Sequence, residues 1–274
     1  MLIRLGYDIE LEISQQMAVV AVLNVHPSRT LDLLEPDDIQ ISQRVRRDEY
    51  FDTFGNKCTR ILAQPGPLRF SGSTLISDSG LPDEEGWDAQ QIGVDRLPHD
   101  TLRFLLASRY CEVDRLSTLA WQLFGNTAPG WPRVLAICQW VQGHITFDYQ
   151  SAHPSKSALD VYAERRGVCR DFQHLAITLC RAMHIPARYA TGYLGDIGVP
   201  VVDMPMDFSA WFEVYLGNRW WTLDARHNKP RIGRVLMATG RDAADVAITT
   251  SFGVSLLNRF TVVTDEVAEK RSAA

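Results

Sequence analysis

Residues 166–175 read RGVCRDFQHL, a glycine turn that runs into a helical pattern with a cysteine at its start. From Phe172 to Met183 the apolar residues recur at i, i+3, i+4 and i+7, which predicts an amphipathic helix packed on a core. Cys169 then lies in the first helical turn, where free N–H groups and the positive end of the helix dipole favour a thiolate. Cys169 is therefore a candidate nucleophile, and a buried core cysteine is the alternative.

The composition is typical of a globular protein. Of the 274 residues, 46% are hydrophobic and 22% are charged, and the formal net charge of −5 argues against a nucleic-acid binder. The N-terminus lacks the apolar core of a signal peptide and no stretch is long enough to span a membrane, so we expect a cytoplasmic protein that does not bind membranes. The five cysteines form no CxxC pair, which favours reduced thiols over disulfides or a zinc site. No cofactor or metal is implied.

The first 77 residues predict a β-rich domain. Between Ile3 and Ile13 apolar and other residues alternate, as they do in a half-buried strand. The predicted strands lie at residues 2–13, 17–25, 39–47, 57–62 and 68–77. Their short spacing and the turn signals between them predict an antiparallel, sandwich-like module.

Residues 78–100 are rich in Asp, Glu, Gly and Pro, which predicts an acidic linker. The spacing of its carboxylates matches no calcium loop. Residues 101–274 then form the second predicted domain. Its expected helices lie at residues 101–107, 116–124, 133–144 and 157–165, ahead of the Cys169 helix.

Strands are predicted at residues 187–193, 209–216 and 219–224. The Gly217-Asn218 pair predicts a two-residue hairpin turn, in which Leu216 pairs with Arg219. In that register Ser209 is the diagonal neighbour of Asp224 on one face of the sheet. A base at position 209 could be oriented by Asp224, but this position carries serine.

Four blocks occur in an order that resembles the transglutaminase-like superfamily. They are residues 167–172, 185–193, 210–215 and 220–224. More narrowly, they resemble bacterial transglutaminase-like proteins described as cysteine proteases, and residues 1–80 resemble the β-rich N-terminal region of that group. The resemblance implies an α+β fold with a papain-like core, in which the nucleophile helix packs on an antiparallel sheet.

The resemblance also implies a Cys-His-Asp triad that attacks a glutamine side-chain amide or a peptide bond through a thioester. Carried over by position, the cysteine is Cys169, the aspartate is Asp224, and the histidine position is Ser209. Serine cannot serve as a base near pH 7. The leading hypothesis is thus a cysteine enzyme with a replacement base. We expect hydrolysis rather than acyl transfer, because water is always available and nothing in the sequence indicates a site for an amine acceptor. The alternative is an inactive module that binds a peptide or a protein partner. Oligomeric state is not predicted.

His227 is the candidate replacement base. It faces away from Asp224 if the strand continues straight, and it enters the site if the chain bends at residues 225–226. His174 is expected in the core, while His144 and His153 could line the cleft.

Arg170 is a candidate for binding a substrate carboxylate, or else a surface residue. Trp211 is a second substrate-binding candidate that could equally be a packing residue. An oxyanion donor is expected by analogy, from Gln142 or from a backbone N–H group.

Overall fold

The computed structural model describes residues 1–201 and 206–267. The strands are β1 (Leu2–Ile13), β2 (Met17–Ala21), β3 (Gln40–Ile41), β4 (Arg47–Phe51), β5 (Lys57–Ala63), β6 (Gly66–Ser77), β7 (Thr146–Phe147), β8 (Arg166–Gly167), β9 (Ala187–Tyr193), β10 (Ser209–Leu216), β11 (Arg219–Leu223), β12 (Val235–Gly240), β13 (Thr249–Ser251) and β14 (Ser255–Val267). The α-helices are α1 (Val113–Phe124), α2 (Trp131–His144), α3 (Ala158–Glu164) and α4 (Cys169–Ala182). Short 3₁₀ helices cover Pro27–Asp32, Val94–Arg96, His99–Leu105 and Tyr149–Ser151.

Two antiparallel four-stranded sheets contain the N-terminal region, in the orders β14-β1-β6-β3 and β13-β2-β5-β4. Alternate residues of β1, among them Ile3, Leu5 and Ile9, are buried in the core of this region. The β-rich prediction is confirmed. The predicted strand at 39–47 is wrong in detail, since β3 and β4 are separate strands that lie in different sheets.

The end of the chain completes both sheets. β14 pairs with β1 along its whole length, from Leu2 opposite Val267 to Ile13 opposite Ser255, and β13 pairs with β2. The predicted division into residues 1–77, 78–100 and 101–274 remains a prediction. The strand pairing adds that β13 and β14, although they lie at the end of the chain, belong to the two sheets of the N-terminal region and not to the sheet β11-β10-β9-β12.

The predicted α+β core is confirmed by the packing of α4. This helix is buried along most of its length and packs against α1, α2, α3 and the antiparallel sheet β11-β10-β9-β12. The hairpin register is as predicted, with Leu216 opposite Arg219. Both turn residues adopt positive φ, 55° at Gly217 and 67° at Asn218, as a tight hairpin turn with the twist of its strands requires. Within residues 1–201 and 206–267, no helix combines the length and apolarity needed to cross a bilayer.

Candidate active site

The first turn of α4 is fixed by a capping contact. The N–H of Val168 donates to Oδ2 of Asp171 at 2.9 Å, and the Asp171 side chain is fully buried. Gly167 lies so close to this carboxylate that a Cβ there would stand 2.6 Å from the Cβ of Asp171. A residue with a side chain cannot occupy position 167 without moving the cap, so the glycine before Cys169 has a steric cause.

Cys169 is the first residue of α4. It alone among the five cysteines is partly exposed, while the other four are buried. Burial raises the pKa of the Cys169 thiol to about 11, against the opposing effects of the Arg226 charge and the Arg170 backbone N–H. Burial thus opposes the stabilisation of a thiolate that is expected at the helix start. A nucleophile here needs a base.

After β11 the chain bends around the carboxylate of Asp224. The N–H groups of Arg226 and His227 donate to its Oδ1 at 3.0 and 3.2 Å. The same bend turns the imidazole of His227 toward Asp224, so that its Nδ1 lies 2.8 Å from Oδ2 of Asp224. The chain therefore bends at residues 225–226, which is the alternative that places His227 next to Asp224.

Asp224 is held ionised. Burial alone would raise the pKa of its carboxyl group, but the hydrogen bond from His227 and the charge of Arg234 outweigh burial and hold that pKa well below its usual range. An ionised carboxylate only accepts hydrogen bonds, so Nδ1 of His227 carries a proton, and in the neutral form of the imidazole Nε2 is the nitrogen with the free lone pair. Nε2 has no hydrogen-bond partner among residues 1–201 and 206–267.

Gln173 ties α4 to this bend. It lies one helical turn after Cys169 and is fully buried. Its Nε2 donates to Oδ1 of Asp224 at 3.0 Å, and its Oε1 accepts from the N–H of Ala225 at 3.1 Å. The residue was missed from sequence, although a glutamine on the buried face of an amphipathic helix is a detectable signal.

Arg234 binds the other side of the carboxylate. Its Nη2 donates to Oδ2 of Asp224 at 3.1 Å, and its Nε donates to Oδ2 of Asp83 at 2.8 Å. Asp83 also accepts from the N–H of Arg231 at 2.9 Å. A residue from the predicted acidic linker is thus part of the network around Asp224, and this role could not be read from the linker's composition.

One cavity of about 490 Å³ joins three of the predicted site residues, since Cys169, Ser209 and His227 all line it. Asp224 lies behind His227 and does not line the cavity. Ser209 pairs with Gly192 on β9, and no hydrogen bond joins it to Asp224, its predicted diagonal neighbour, among the described residues. The ladder with β11 ends one pair earlier, at Phe212 opposite Leu223.

The two predicted substrate-binding residues do not line this cavity. Arg170 donates to the carbonyl of His153 at 2.7 Å and to Oδ1 of Asp171 at 3.2 Å. Trp211 is 2% exposed, with the Arg234 guanidinium 5.1 Å from its ring. Their positions support packing and capping roles rather than substrate contact.

The remaining polar candidates have other partners. His174 is fully buried, as expected, and its Nε2 accepts from the N–H of Ala243 at 3.1 Å. His144 contacts the carbonyl of Tyr162 at 2.9 Å. The amide of Gln142 donates to the carbonyls of Arg226 and His227 at 3.0 and 3.2 Å. Gln142 therefore supports the bend, and its amide is not aimed at the cavity as an oxyanion donor.

Arg226 was missed from sequence. Its side chain lines the cavity beside Cys169, and its guanidinium lies over the ring of Phe147, 3.8 Å from the ring centre. No group of His, Cys, Asp and Glu side chains suited to a metal ion occurs in the part of the chain that the structure describes.

Known proteins share these features. Residues 117–225 match the transglutaminase-like superfamily model. The crystal structure of a "Putative Cysteine Protease" from Cytophaga hutchinsonii superposes with a TM-score of 0.83 and 31% identity over 97% of this chain and 90% of that one. An uncharacterized protein of Mycobacterium leprae is 32% identical over 117 residues, which are 42% of each chain.

An uncharacterized Mycobacterium tuberculosis protein is 32% identical over 114 residues, which are 38% of this chain and 36% of that protein. The matches thus span about two fifths of the length of these curated relatives, whereas the likeness to the Cytophaga structure extends over both the β-rich region and the helical core. The chain belongs to the transglutaminase-like superfamily.

Proposed function

We propose that the protein is a cysteine hydrolase of amide or peptide bonds, with Cys169 as nucleophile, His227 as base and Asp224 as the group that orients the base. The observation that carries the proposal is the Nδ1–Oδ2 contact of 2.8 Å between His227 and Asp224, on the wall of the cavity that Cys169 also lines. The replacement of the usual histidine by Ser209 then moves the base from β10 to the bend after β11 and does not remove it.

The chemistry follows from the protonation states. Because burial keeps the Cys169 thiol protonated at pH 7, Nε2 of His227 takes the thiol proton as the sulfur attacks the amide carbon. The same imidazole protonates the leaving amine as the C–N bond breaks and a thioester forms. Water then attacks the thioester, which releases a carboxylic acid and restores the thiol. Asp224 stabilises the imidazolium that forms in both steps.

A peptide or protein is the substrate class that we propose. A cavity of about 490 Å³ is in the size range of a small-molecule or side-chain site. We prefer hydrolysis over acyl transfer as the reaction. Water can serve as the acceptor in a cavity of this size, and no feature of the described residues marks a second site for an amine.

One observation favours the rival function, a binding module without catalysis. The pKa of Cys169 is raised, not lowered, and an inert thiol would have the same property. The two functions differ in what removal of the imidazole does, because only an enzyme needs it.

The test is to trap the acyl-enzyme. The wild type, Cys169→Ala and His227→Gln would be incubated with a library of peptidyl coumarin amides, quenched in acid and analysed by mass spectrometry. We expect an acyl adduct on Cys169 in the wild type and none in Cys169→Ala. We expect release of coumarin to be slower by about 10²- to 10⁴-fold in His227→Gln, the usual contribution of a general base.

A parallel measurement covers the case in which the library lacks the substrate. Iodoacetamide labelling of Cys169 at pH 7 would be followed in the same variants. A labelling rate that is equal in the wild type and in His227→Gln would overturn the assignment of His227 as the base and leave the binding module as the better account.

A further inference from the structure

The guanidinium of Arg226 is held in a fixed place inside the catalytic cavity. Its backbone N–H donates to Asp224 and its carbonyl accepts from Gln142. Its side chain covers the ring of Phe147 at 3.8 Å, and Phe147 is itself fixed by the pairing of β7 with β8. The charge is therefore positioned before any ligand arrives, which reduces the entropic cost of binding.

The stacking leaves the hydrogen-bonding edge of the guanidinium free. A ring contact uses the face of the planar group, while its N–H donors lie in the plane and point away from the ring. In the described parts of the chain, the Arg226 side chain makes no hydrogen bond and no ion pair. Two other arginines near the site differ, because Arg234 binds two carboxylates and Arg170 binds a carbonyl and a carboxylate.

A half-buried arginine whose guanidinium N–H donors are unpaired is suited to binding a carboxylate. A carboxylate accepts two parallel N–H bonds from a guanidinium, which is the strongest and most directional pairing open to it. Cys169 and Arg226 line the same cavity, and the Arg226 charge acts to lower the pKa of the Cys169 thiol. A carboxylate bound at Arg226 would thus sit next to the amide that the sulfur attacks.

From these contacts we propose that Arg226, stacked on Phe147, is a specificity-determining residue that binds a substrate carboxylate adjacent to the scissile amide. The substrate class is then an acylated amino acid or peptide with a free carboxylate beside the bond to be cleaved. This inference rests on the function proposed above, because it takes Cys169 as the attacking group.

The rest of the cavity limits the substrate to one carboxylate at this position. Its other charged lining residues are the guanidinium of Arg231, which already donates to the carbonyl of Gly195 and pairs with Asp196, and the carboxyl groups of Asp196, Asp207, Asp265 and Glu266. None of the four forms an ion pair with Arg226. A second anionic group placed toward them would be repelled, so a substrate with one carboxylate beside the amide fits better than a polyanion.

Two alkylating reagents of nearly equal size test the proposal. Iodoacetate carries a carboxylate and iodoacetamide carries a neutral amide, and both react with the same thiolate. The ratio of their rates at Cys169 reports the preference for an anion next to the sulfur, because the intrinsic reactivity of the thiolate cancels. The reference is the same ratio for Cys169 in the urea-unfolded chain.

We expect the ratio in the folded wild type to exceed the reference. It should fall about tenfold in Arg226→Gln, as expected for loss of a charge-assisted pair, and it should be partly kept in Arg226→Lys. Arg166→Gln serves as the matched control, since it also removes one positive charge but from an exposed side chain that does not line the cavity. A ratio that is unchanged in Arg226→Gln would overturn the proposal.

A binding measurement separates this outcome from failure of the proposed function. In Cys169→Ser, the Arg226 Nε–H signal would be followed by NMR during titration with N-acetylglycine or with its neutral counterpart N-acetylglycinamide. A shift with the carboxylate alone supports the subsite even where Cys169 does not react. The absence of any difference between the two compounds contradicts it even where Cys169 proves to be a working nucleophile.

Discussion

Nδ1 of His227 lies 2.8 Å from Oδ2 of Asp224, three residues earlier in the chain. A triad in which base and orienter lie on different strands needs the sheet to bring them together. In this protein a single bend supplies both the imidazole and the carboxylate, and the N–H groups of Arg226 and His227 in that bend donate to the same carboxylate. The imidazole is thereby oriented by local structure, and β10 is free to carry serine at the cavity wall.

This arrangement predicts that an imidazole at position 209 can replace the one at position 227. His227→Gln should lower the rate of Cys169 alkylation or acylation by about 10²- to 10⁴-fold. Adding Ser209→His to that variant should recover at least tenfold of the loss, because Ser209 lines the same cavity as Cys169. Alkylation kinetics at pH 7 measure both the loss of rate in His227→Gln and its recovery in the double variant.

Ser209→His in the wild-type background is the control for general damage by the larger side chain. If it leaves the rate intact while the double variant shows no recovery, then position 209 cannot place a base on the thiol and the positional carry-over from the family is wrong.

Gln173→Leu should destabilise the protein and misplace Asp224. The substitution leaves the buried N–H of Ala225 without its acceptor and removes one donor from Asp224. An unsatisfied buried donor costs about 1–3 kcal/mol, so we expect the free energy of unfolding in urea to fall by about that amount. Gln122→Leu, on the exposed face of α1, should change it by less than about 0.5 kcal/mol. Equal effects of the two variants would contradict the assigned role of Gln173.

Asp83→Ala tests whether the predicted linker is part of the core. Arg234 is nearly buried and pairs with the carboxylates of Asp83 and Asp224, so the substitution removes one of its two partners. Breaking a buried ion pair costs about 3–5 kcal/mol, and the partial exposure of Asp83 places the expected loss at the lower end. Glu85→Ala, two residues on and exposed, should be neutral. Urea unfolding of the two variants makes the comparison, and a neutral Asp83→Ala would mean that the 78–100 segment is dispensable for stability.

His174 should make stability depend on pH in a defined window. Burial, together with the charges of Arg170 and Arg181, holds the pKa of its imidazole well below the ordinary value of 6.5. Below pH 6.5 the unfolded chain therefore binds a proton that the native state does not, and the free energy of unfolding decreases as the pH falls. Above pH 6.5 both states are neutral at this residue and its contribution is constant.

The slope should approach about 1.4 kcal/mol per pH unit below pH 6. In His174→Gln, whose side-chain oxygen can still accept from Ala243, this component should vanish. Chemical denaturation of both proteins between pH 4.5 and 7.5 measures the difference. Parallel curves would mean that the imidazole has the same pKa in the native state as in the unfolded chain, which would contradict the effect of burial.

Patterns within a short stretch of sequence predicted most of the fold. The apolar stripe of α4, the Gly217-Asn218 hairpin and the alternation of β1 each depend on residues close together in the chain. The completion of the N-terminal sheets by β13 and β14 depends on pairings across more than two hundred residues, for which hydrophobic alternation specifies no partner.

For the candidate site, too, sequence patterns predicted what is local and missed what depends on contacts between distant segments. Cys169 and Asp224 could be identified from sequence because they fall in recognisable blocks, and Ser209 because it directly precedes the block at residues 210–215. The roles of Gln173, Arg226 and Arg234 depend on the bend after β11, and nothing in the Ala225-Arg226 pair alone decides between a bent and a straight path. Their partners, Asp83 and Phe147 among them, come from segments far away in sequence.

The pairing of β1 with β14 has a consequence for biosynthesis. β1 is synthesised before its long neighbour β14, and all the other helices and strands are made between the two. Until then β1 has a partner on one edge alone, in β6, and the edge meant for β14 offers unpaired backbone groups to other nascent chains. We therefore expect the β-rich region to close only after β14 has been synthesised, with α4 and its helical neighbours folding ahead of the region that precedes them in sequence.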